Sequence, residues 1–255
     1  MSDRRTTWPY PRWIAHRGAG RIAPENTLAA FRCGAAHGYR MFECDVKLSA
    51  DGVPFLMHDA TLQRTTGGTG LGGDRPWSEL SRLDAGGWHS RLHAGEPLPS
   101  FENVARFCLR NGHFLNIEIK PTPDTDEAPG IERRTGEVVA REAERLWAGT
   151  EVPPLLSSFR PESLAGARDV APRVPRALLL DTLRDGWLDE ALQLECVAVV
   201  CNQTLWDAVT VARAKDAGLR TLSYTVNVEE SARRLLALGI DGIITDRIDL
   251  FGPAD

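Results

Sequence analysis

The sequence predicts an α/β chain of the TIM (β/α)8 barrel class. Its length of 255 residues fits one such barrel, which typically takes about 250. One arrangement also recurs along it: an amphipathic helix, then glycine, then a short apolar strand. Alternation of that kind points to a parallel sheet covered by helices. Composition agrees, with 42% apolar and 25% charged residues, the balance of an ordinary globular protein.

The elements read in order as follows. Trp13–His16 is the first short strand. Residues 27–37 place Leu28, Phe31 and Ala35 on one helical face and stop at Gly38. The Pro24-Glu25-Asn26-Thr27 stretch reads as the start of that helix, with Asn26 as its cap. Tyr39–Val46 and Val53–His58 follow as strands. Within 41–58 only Ser49-Ala50-Asp51-Gly52 separates two strands, too few residues for a helical crossover, so a hairpin-like turn or a missing helix is expected. Residues 59–99 break the pattern. Clustered glycines at 67–73, Gly86-Gly87, Pro97 and Pro99 mark turns, while tryptophans and leucines argue for a small ordered insertion after the third strand. The glycines are not followed by Gly-Lys-Ser/Thr, so they form no P-loop.

Beyond the insertion, Ser100 caps a helix carrying Phe101, Val104, Ala105, Cys108 and Leu109 at helical spacing. It ends at Asn111-Gly112, where glycine suits the left-handed stop, and Phe114–Ile119 is the next strand. Leu155–Ser158, Arg176–Leu180 and Val197–Cys201 are further strands. Residues 204–217 form a helix ending at Gly218, before the strand Leu219–Val226. Asn227 with Glu230 resembles a capping box, opening a helix that stops at Gly239 before Ile240–Thr245. Nine candidate strands result where a barrel needs eight, and the extra one lies within 41–58.

Charge and cysteines bound the function classes. Thirty Lys+Arg against 35 Asp+Glu leave a net charge of −5, which disfavours a nucleic-acid binder. The N-terminus Met1-Ser2-Asp3-Arg4-Arg5 leads into no apolar stretch, so no signal peptide is expected. No apolar run approaches the length of about 18 residues that a membrane span needs. Cys33, Cys44, Cys108, Cys196 and Cys201 are odd in number and form no CxxC pair, so reduced, buried thiols and a cytoplasmic location are expected.

Barrel enzymes carry their chemistry at the C-terminal strand ends. His16-Arg17-Gly18, Glu43-Cys44-Asp45, His58-Asp59 and Glu118-Ile119-Lys120 occupy those positions. Strand periodicity sends Glu43 and Asp45 to one face, and Glu118 and Lys120 likewise. Each motif alone has an ordinary reading: a polar strand edge, a same-face ion pair, a turn after a strand. Together, at successive strand ends, they place three carboxylates, two histidines, Arg17 and Lys120 at one mouth. Oxygen ligands favour a hard cation such as Mg2+ or Ca2+. A divalent ion, three carboxylates, Arg17 and Lys120 sum to a net charge of about +1, suited to a phosphodiester monoanion. Two histidines suit an acid/base pair. His37, His89, His93 and His113 read as solvated or structural.

This ordered set, with Pro24-Glu25-Asn26-Thr27, Ser157-Ser158-Phe159, Tyr224-Thr225-Val226-Asn227 and Asp241-Gly242-Ile243-Ile244-Thr245-Asp246, resembles the glycerophosphodiester phosphodiesterase family from about residue 10 to the C-terminus. The cytoplasmic bacterial members are the most similar. The resemblance implies a single TIM barrel spanning 1–255 with a family insertion at 59–99. It implies a divalent metal, Mg2+ or Ca2+, on Glu43, Asp45 and Glu118, with His16 and His58 as the acid/base pair. Arg17 and Lys120 would bind phosphate, and Phe159 and Tyr224 are candidate pocket walls. The implied reaction yields sn-glycerol 3-phosphate and an alcohol, through attack by the glycerol 2-hydroxyl and a cyclic phosphate. Lysophospholipid hydrolysis and a non-catalytic phosphodiester-binding barrel are the alternatives. Two departures are local: Tyr224 stands where relatives often carry tryptophan, and Ile248 where a proline often follows the Thr-Asp pair.

Overall fold

The computed structural model describes residues 8–121 and 130–253. The N-terminal segment read above for a signal peptide, residues 1–7, lies outside them. The strands are β1 (Trp13–Ala15), β2 (Met41–Leu48), β3 (Pro54–Leu56), β4 (Phe114–Ile119), β5 (Leu155–Ser158), β6 (Arg176–Leu180), β7 (Ala198–Asn202), β8 (Arg220–Tyr224) and β9 (Gly242–Thr245). The helices are α1 (Leu28–Ala36), α2 (Trp77–Leu80), α3 (Phe101–Asn111), α4 (Ile131–Leu146), α5 (Pro161–Val170), α6 (Trp187–Gln193), α7 (Ala208–Asp216) and α8 (Glu229–Ala237).

Among the described residues, eight strands run parallel in the order β1-β9-β8-β7-β6-β5-β4-β2, and the β1–β2 pairing closes the barrel. The ninth strand, β3, pairs antiparallel with β2 through Val46–Leu56, Lys47–Phe55 and Leu48–Pro54. Of the two readings open at 41–58, the structure has the hairpin. Its turn is closed by the Ser49 hydroxyl, which donates to Asp51 and accepts from the Val53 N–H.

Side-chain alternation divides the apolar residues into layers. Phe42, Cys44, Val46, Leu115, Ile117 and Ile119 point outward and pack under the helices. Ile14, Met41, Leu155, Leu179, Val200, Leu222 and Ile244 fill the barrel interior. On β2 the inward set is Met41, Glu43, Asp45 and Lys47, all buried. Strand β2 therefore begins apolar in the barrel floor and ends charged at its mouth.

Segment 59–99 holds α2, two short 3-10 turns and a core of its own. Leu62, Leu80, Ala85 and Leu98 pack with Phe55 and Met57 of the hairpin arm. The core of the insertion is thus shared with the hairpin arm, and polar contacts such as the Ala29 N–H to Glu96 tie its rim to the barrel.

Helix ends follow capping chemistry, with three departures from the sequence reading. Ser100 caps α3 by accepting from the Asn103 N–H, and Gly112 ends it at φ 65°, as read. Helix α1 is capped by Thr27, whose hydroxyl accepts from the Ala30 N–H, and not by Asn26. Helix α8 starts after Val228 without a side-chain cap, so Asn227 and Glu230 form no capping box. Helix α7 starts at Ala208, four residues later than read, where Asp207 and Thr210 cap each other. In the two asparagine cases the side chain has a stronger competing partner at the barrel mouth.

Candidate active site

The site begins with a strained turn after β1. Arg17 and Asn26 both occupy left-handed backbone, at φ 50° and 58°. Such positions cost side-chain-bearing residues on the order of 1–3 kcal/mol each. The Asn26 N–H donates to the Arg17 carbonyl at 2.9 Å, tying the two together. The turn lies tightly on its neighbours. A Cβ on Gly20 would stand 2.2 Å from the Asp246 carbonyl, and one on Gly34 would stand 2.2 Å from the Gly18 carbonyl. Glycine is required at both contacts, and together they press β1's end against β9 and α1.

Glu43, Asp45 and Glu118 converge as the alternation predicted. Each presents an oxygen within 4.8 Å of the others. Neighbouring β2 and β4 are in register with Asp45 opposite Glu118, which brings the three together. Glu43 Oε2 accepts from the Arg17 backbone N–H at 3.0 Å. Asp45 Oδ2 accepts from Asn26 Nδ2 at 2.8 Å, while the Asp45 N–H donates back to Asn26 Oδ1 at 3.1 Å. Asn26 is therefore a clamp on Asp45.

The electrostatics are those of a crowded anionic cluster. Burial and then the Asp45 charge push Glu43 up to about 8. Burial and Asp45 likewise raise Glu118. Burial would raise Asp45 too, but Arg17, Lys120 and the Asn26 hydrogen bond hold it low. Arg17 Nε lies 3.3 Å from Asp45, and Lys120 Nζ lies 3.0 Å from Glu118 and 3.9 Å from Asp45. Glu43 Oε1 and Asp45 Oδ1 are buried without hydrogen-bond partners. Buried carboxylate oxygens of that kind are costly unless paired or bound to metal. Hard oxygen donors at this spacing fit a divalent cation.

Both predicted histidines reach the mouth, each with Nδ1 on a carboxylate. His16 Nδ1 is 2.6 Å from Asp246 Oδ1, and its Nε2 is 3.7 Å from Glu43. His58 Nδ1 is 2.7 Å from Asp59 Oδ1. A carboxylate only accepts, so each Nδ1 carries the proton and each Nε2 is left to exchange one. Burial lowers His16, but the Asp246 bond and the Glu43 charge outweigh it and the net shift is upward. Burial also lowers His58. Asp45 opposes this, but Arg17 and Lys120 reinforce it, and the net shift is downward.

Beyond Glu118 and Lys120 the mouth opens into a cavity of about 320 Å³, lined also by Phe159, Arg160, Asp181 and Arg184. Phe159 is met edge-on by Tyr224 at 5.6 Å, and the Tyr224 hydroxyl donates to the Leu180 carbonyl at 3.1 Å. Phe159 thus lines the cavity directly, and Tyr224 backs it.

A profile of the Glycerophosphoryl diester phosphodiesterase family matches residues 16–250. The chain belongs to this family. A glycerophosphodiester phosphodiesterase of Caldanaerobacter subterraneus is 32% identical over 234 residues, covering 91% of this chain and 93% of that protein. One solved structure, an Oleispira antarctica phosphodiesterase in complex with the product sn-glycerol-3-phosphate, superposes with a TM-score of 0.86 at 33% identity, covering 93% of both chains. A glycerophosphodiester phosphodiesterase from Agrobacterium tumefaciens superposes at 0.78 with 30% identity, covering 94% of this chain and 98% of that one.

Five residues outside the predicted set complete the geometry. Asp246 and Asn227 stand behind His16, Asn26 behind Asp45, and Glu25 and Arg64 link Arg17 to His58's carboxylate. Asp246 was legible in principle. It directly follows the last strand, and barrel closure sets that strand against β1 and therefore Asp246 beside His16. Arg64 lies in an irregular segment with no periodicity to place it.

The other histidines take structural places. His37 bonds the Cys33 carbonyl at a helix end, His89 bonds the Arg21 carbonyl, His93 packs against His89, and His113 packs against Phe42 and Phe107. All five cysteines are free. Among the described residues, no helix is long and apolar enough to cross a membrane.

Proposed function

We propose that the chain hydrolyses glycerophosphodiesters, deacylated phospholipids such as glycerophosphocholine or glycerophosphoethanolamine, to sn-glycerol 3-phosphate and an alcohol. The observation that carries this reading is the convergence of three carboxylates with two histidines, each held through Nδ1 by a carboxylate. The family supports it, as does the product captured by the Oleispira antarctica relative.

Glu43, Asp45 and Glu118 would hold a divalent cation, Mg2+ or Ca2+. When bound, it supplies Lewis-acid stabilisation of charge on the phosphoryl oxygens. Arg17 and Lys120, which lie against the carboxylates, would turn to the non-bridging oxygens and bind the diester. One histidine takes the proton of the glycerol 2-hydroxyl through Nε2 as that oxygen attacks phosphorus. The other protonates the departing alcohol. Water then opens the cyclic phosphate with the two roles exchanged. Asp246 and Asp59 orient the rings and favour the charged imidazolium during transfer. Phe159, backed by Tyr224, would form the wall against the carbon chain of glycerol or the alcohol.

We read the chain as one barrel domain with an insertion at 59–99, and its five unpaired thiols favour a reducing, cytoplasmic setting. A second reading, action on lysophospholipids, has one specific support. Leu92 is 88% and Trp88 41% exposed, in a turn that touches the loop after β1 through His89 and the Arg21 carbonyl.

The test is a panel of glycerophosphodiesters and lysophospholipids with Mg2+, Ca2+ and Mn2+, assayed for both phosphoryl products. Release of sn-glycerol 3-phosphate from the short diesters is the expected result. Preference for the acylated substrates favours the second reading, and tight diester binding without turnover overturns both.

A further inference from the structure

Arg64 lies in the insertion, and its guanidinium joins two carboxylates that serve different parts of the site. Nε and Nη2 donate to Asp59 Oδ2 and Oδ1 at 2.6 and 2.9 Å. Nη1 and Nη2 donate to Glu25 Oε2 and Oε1 at 2.7 and 2.8 Å. Both carboxylates are thus held in two-point contact, an arrangement the planar fork of arginine makes and lysine cannot.

The same carboxylates continue inward. Glu25 Oε1 accepts from Arg17 Nη1 at 2.8 Å. Asp59 Oδ1 accepts from His58 Nδ1 at 2.7 Å. An unbroken alternation results: Arg17, Glu25, Arg64, Asp59, His58. It spans the β1 turn, the insertion and the end of the hairpin arm. The sheet joins the two elements only through β2, which pairs with β1 at Phe42 and with β3 at Val46–Leu48, while the ion-pair chain joins the side chains themselves.

We infer that Arg64 is a positioning residue that sets the phosphate-binding arginine and the His58 imidazole at a fixed separation through Glu25 and Asp59. Arg64 touches neither group itself, and its side chain is 43% exposed, so its removal opens no cavity in the core. Without it, Glu25 and Asp59 become adjacent like charges, and each can swing its partner away. A displacement on the order of 1 Å in a catalytic group can cost about 100-fold in rate. The inference rests on the proposed diester hydrolysis, so the test carries one readout independent of turnover.

That readout is the crystal structure of Arg64→Ala. The expected result is a changed side-chain orientation for both Arg17 and His58, with Glu25 and Asp59 splayed apart. Kinetically, kcat falls roughly 10- to 100-fold with KM changed less than about threefold, and Tm stays near that of the parent chain. Arg64→Lys restores only a minor part, and guanidinium ion added to Arg64→Ala restores more. Arg17 and His58 unmoved in the variant, or kcat within about twofold of the parent, overturns the inference. If the parent chain does not hydrolyse diesters, the proposed function fails, and the side-chain positions still decide the role of Arg64.

Discussion

His16 and His58 carry the same ring, with a carboxylate on Nδ1 at 2.6 and 2.7 Å, yet two different constructions hold them. His16 stands on the barrel wall. Its Asp246 directly follows β9, and Asn227 follows β8, so three adjacent strand ends share the work. Asn227 Nδ2 donates to Asp246 Oδ2 at 2.8 Å, and the Asp246 N–H donates back to Asn227 Oδ1 at 2.9 Å. His58 stands at the end of an antiparallel arm outside the barrel. Its Asp59 is held by a side chain of the insertion, Arg64. His16 is 17% exposed and His58 33%. Two carboxylate-bound histidines at one mouth are thus held by different means, one by strand ends and one by an ion-pair chain. The proposed roles predict that the first resists perturbation better than the second.

Removing the rings is the largest perturbation and treats both histidines alike. His16→Ala and His58→Ala should each lower kcat by about 10²–10⁴-fold, the worth of a positioned acid or base. A steady-state assay of glycerol 3-phosphate release checks it, and a loss below tenfold for either separates that ring from the chemistry. Removing the supports should split the two. Asp246→Asn leaves a buried ring with the wrong partner and should cost about 100-fold. Asp59→Asn, at a more exposed ring, should cost about tenfold. Equal losses would erase the distinction between wall and arm.

The carboxylate cluster adds a dependence on pH. Glu43 is pushed up to about 8 by burial and Asp45, so a cation must displace its proton. Apparent affinity for Mg2+ or Ca2+ should climb about tenfold per pH unit below pH 8. The stability sign follows. Between about pH 4.3, the unfolded value, and pH 8 the folded cation-free chain holds a proton that the unfolded chain has lost. Its stability therefore declines as pH rises through that window. Added cation should raise Tm more at pH 8 than at pH 6, and an equal rise at both contradicts the cluster's assigned role.

The two asparagine clamps bear on stability rather than on rate. Asn26→Ala strips a buried Asp45 carboxylate of its amide donor and leaves alanine at φ 58°, which should cost about 2–3 kcal/mol. Asn227→Ala acts on a more exposed Asp246 and should cost about 1 kcal/mol. Chemical denaturation orders the two.

These asparagines also mark where sequence reading stopped. Both stand just before a helix, where asparagine is a good cap, and local chemistry predicted caps. Each instead makes the same reciprocal lock on an aspartate 19 positions along the chain. The lock wins because the asparagine amide donating to a carboxylate makes a charge-assisted bond, whereas the N–H donors of a helix start can be satisfied by water or a neighbouring hydroxyl. Positions fixed by strand period were legible: Glu43 and Asp45 on one face, Glu118 and Lys120 on another, and the hairpin from its four-residue turn. Positions fixed by contact between distant loops, as for Glu25 with Arg64, leave no period to read.

The most direct measurement is glycerol 3-phosphate release from glycerophosphocholine by the parent chain, before and after chelation by EDTA, beside Glu43→Gln. The expected result is turnover that EDTA abolishes, that added Mg2+ or Ca2+ restores, and that Glu43→Gln lacks in every condition. Turnover that survives both chelation and the Glu43→Gln substitution would contradict it.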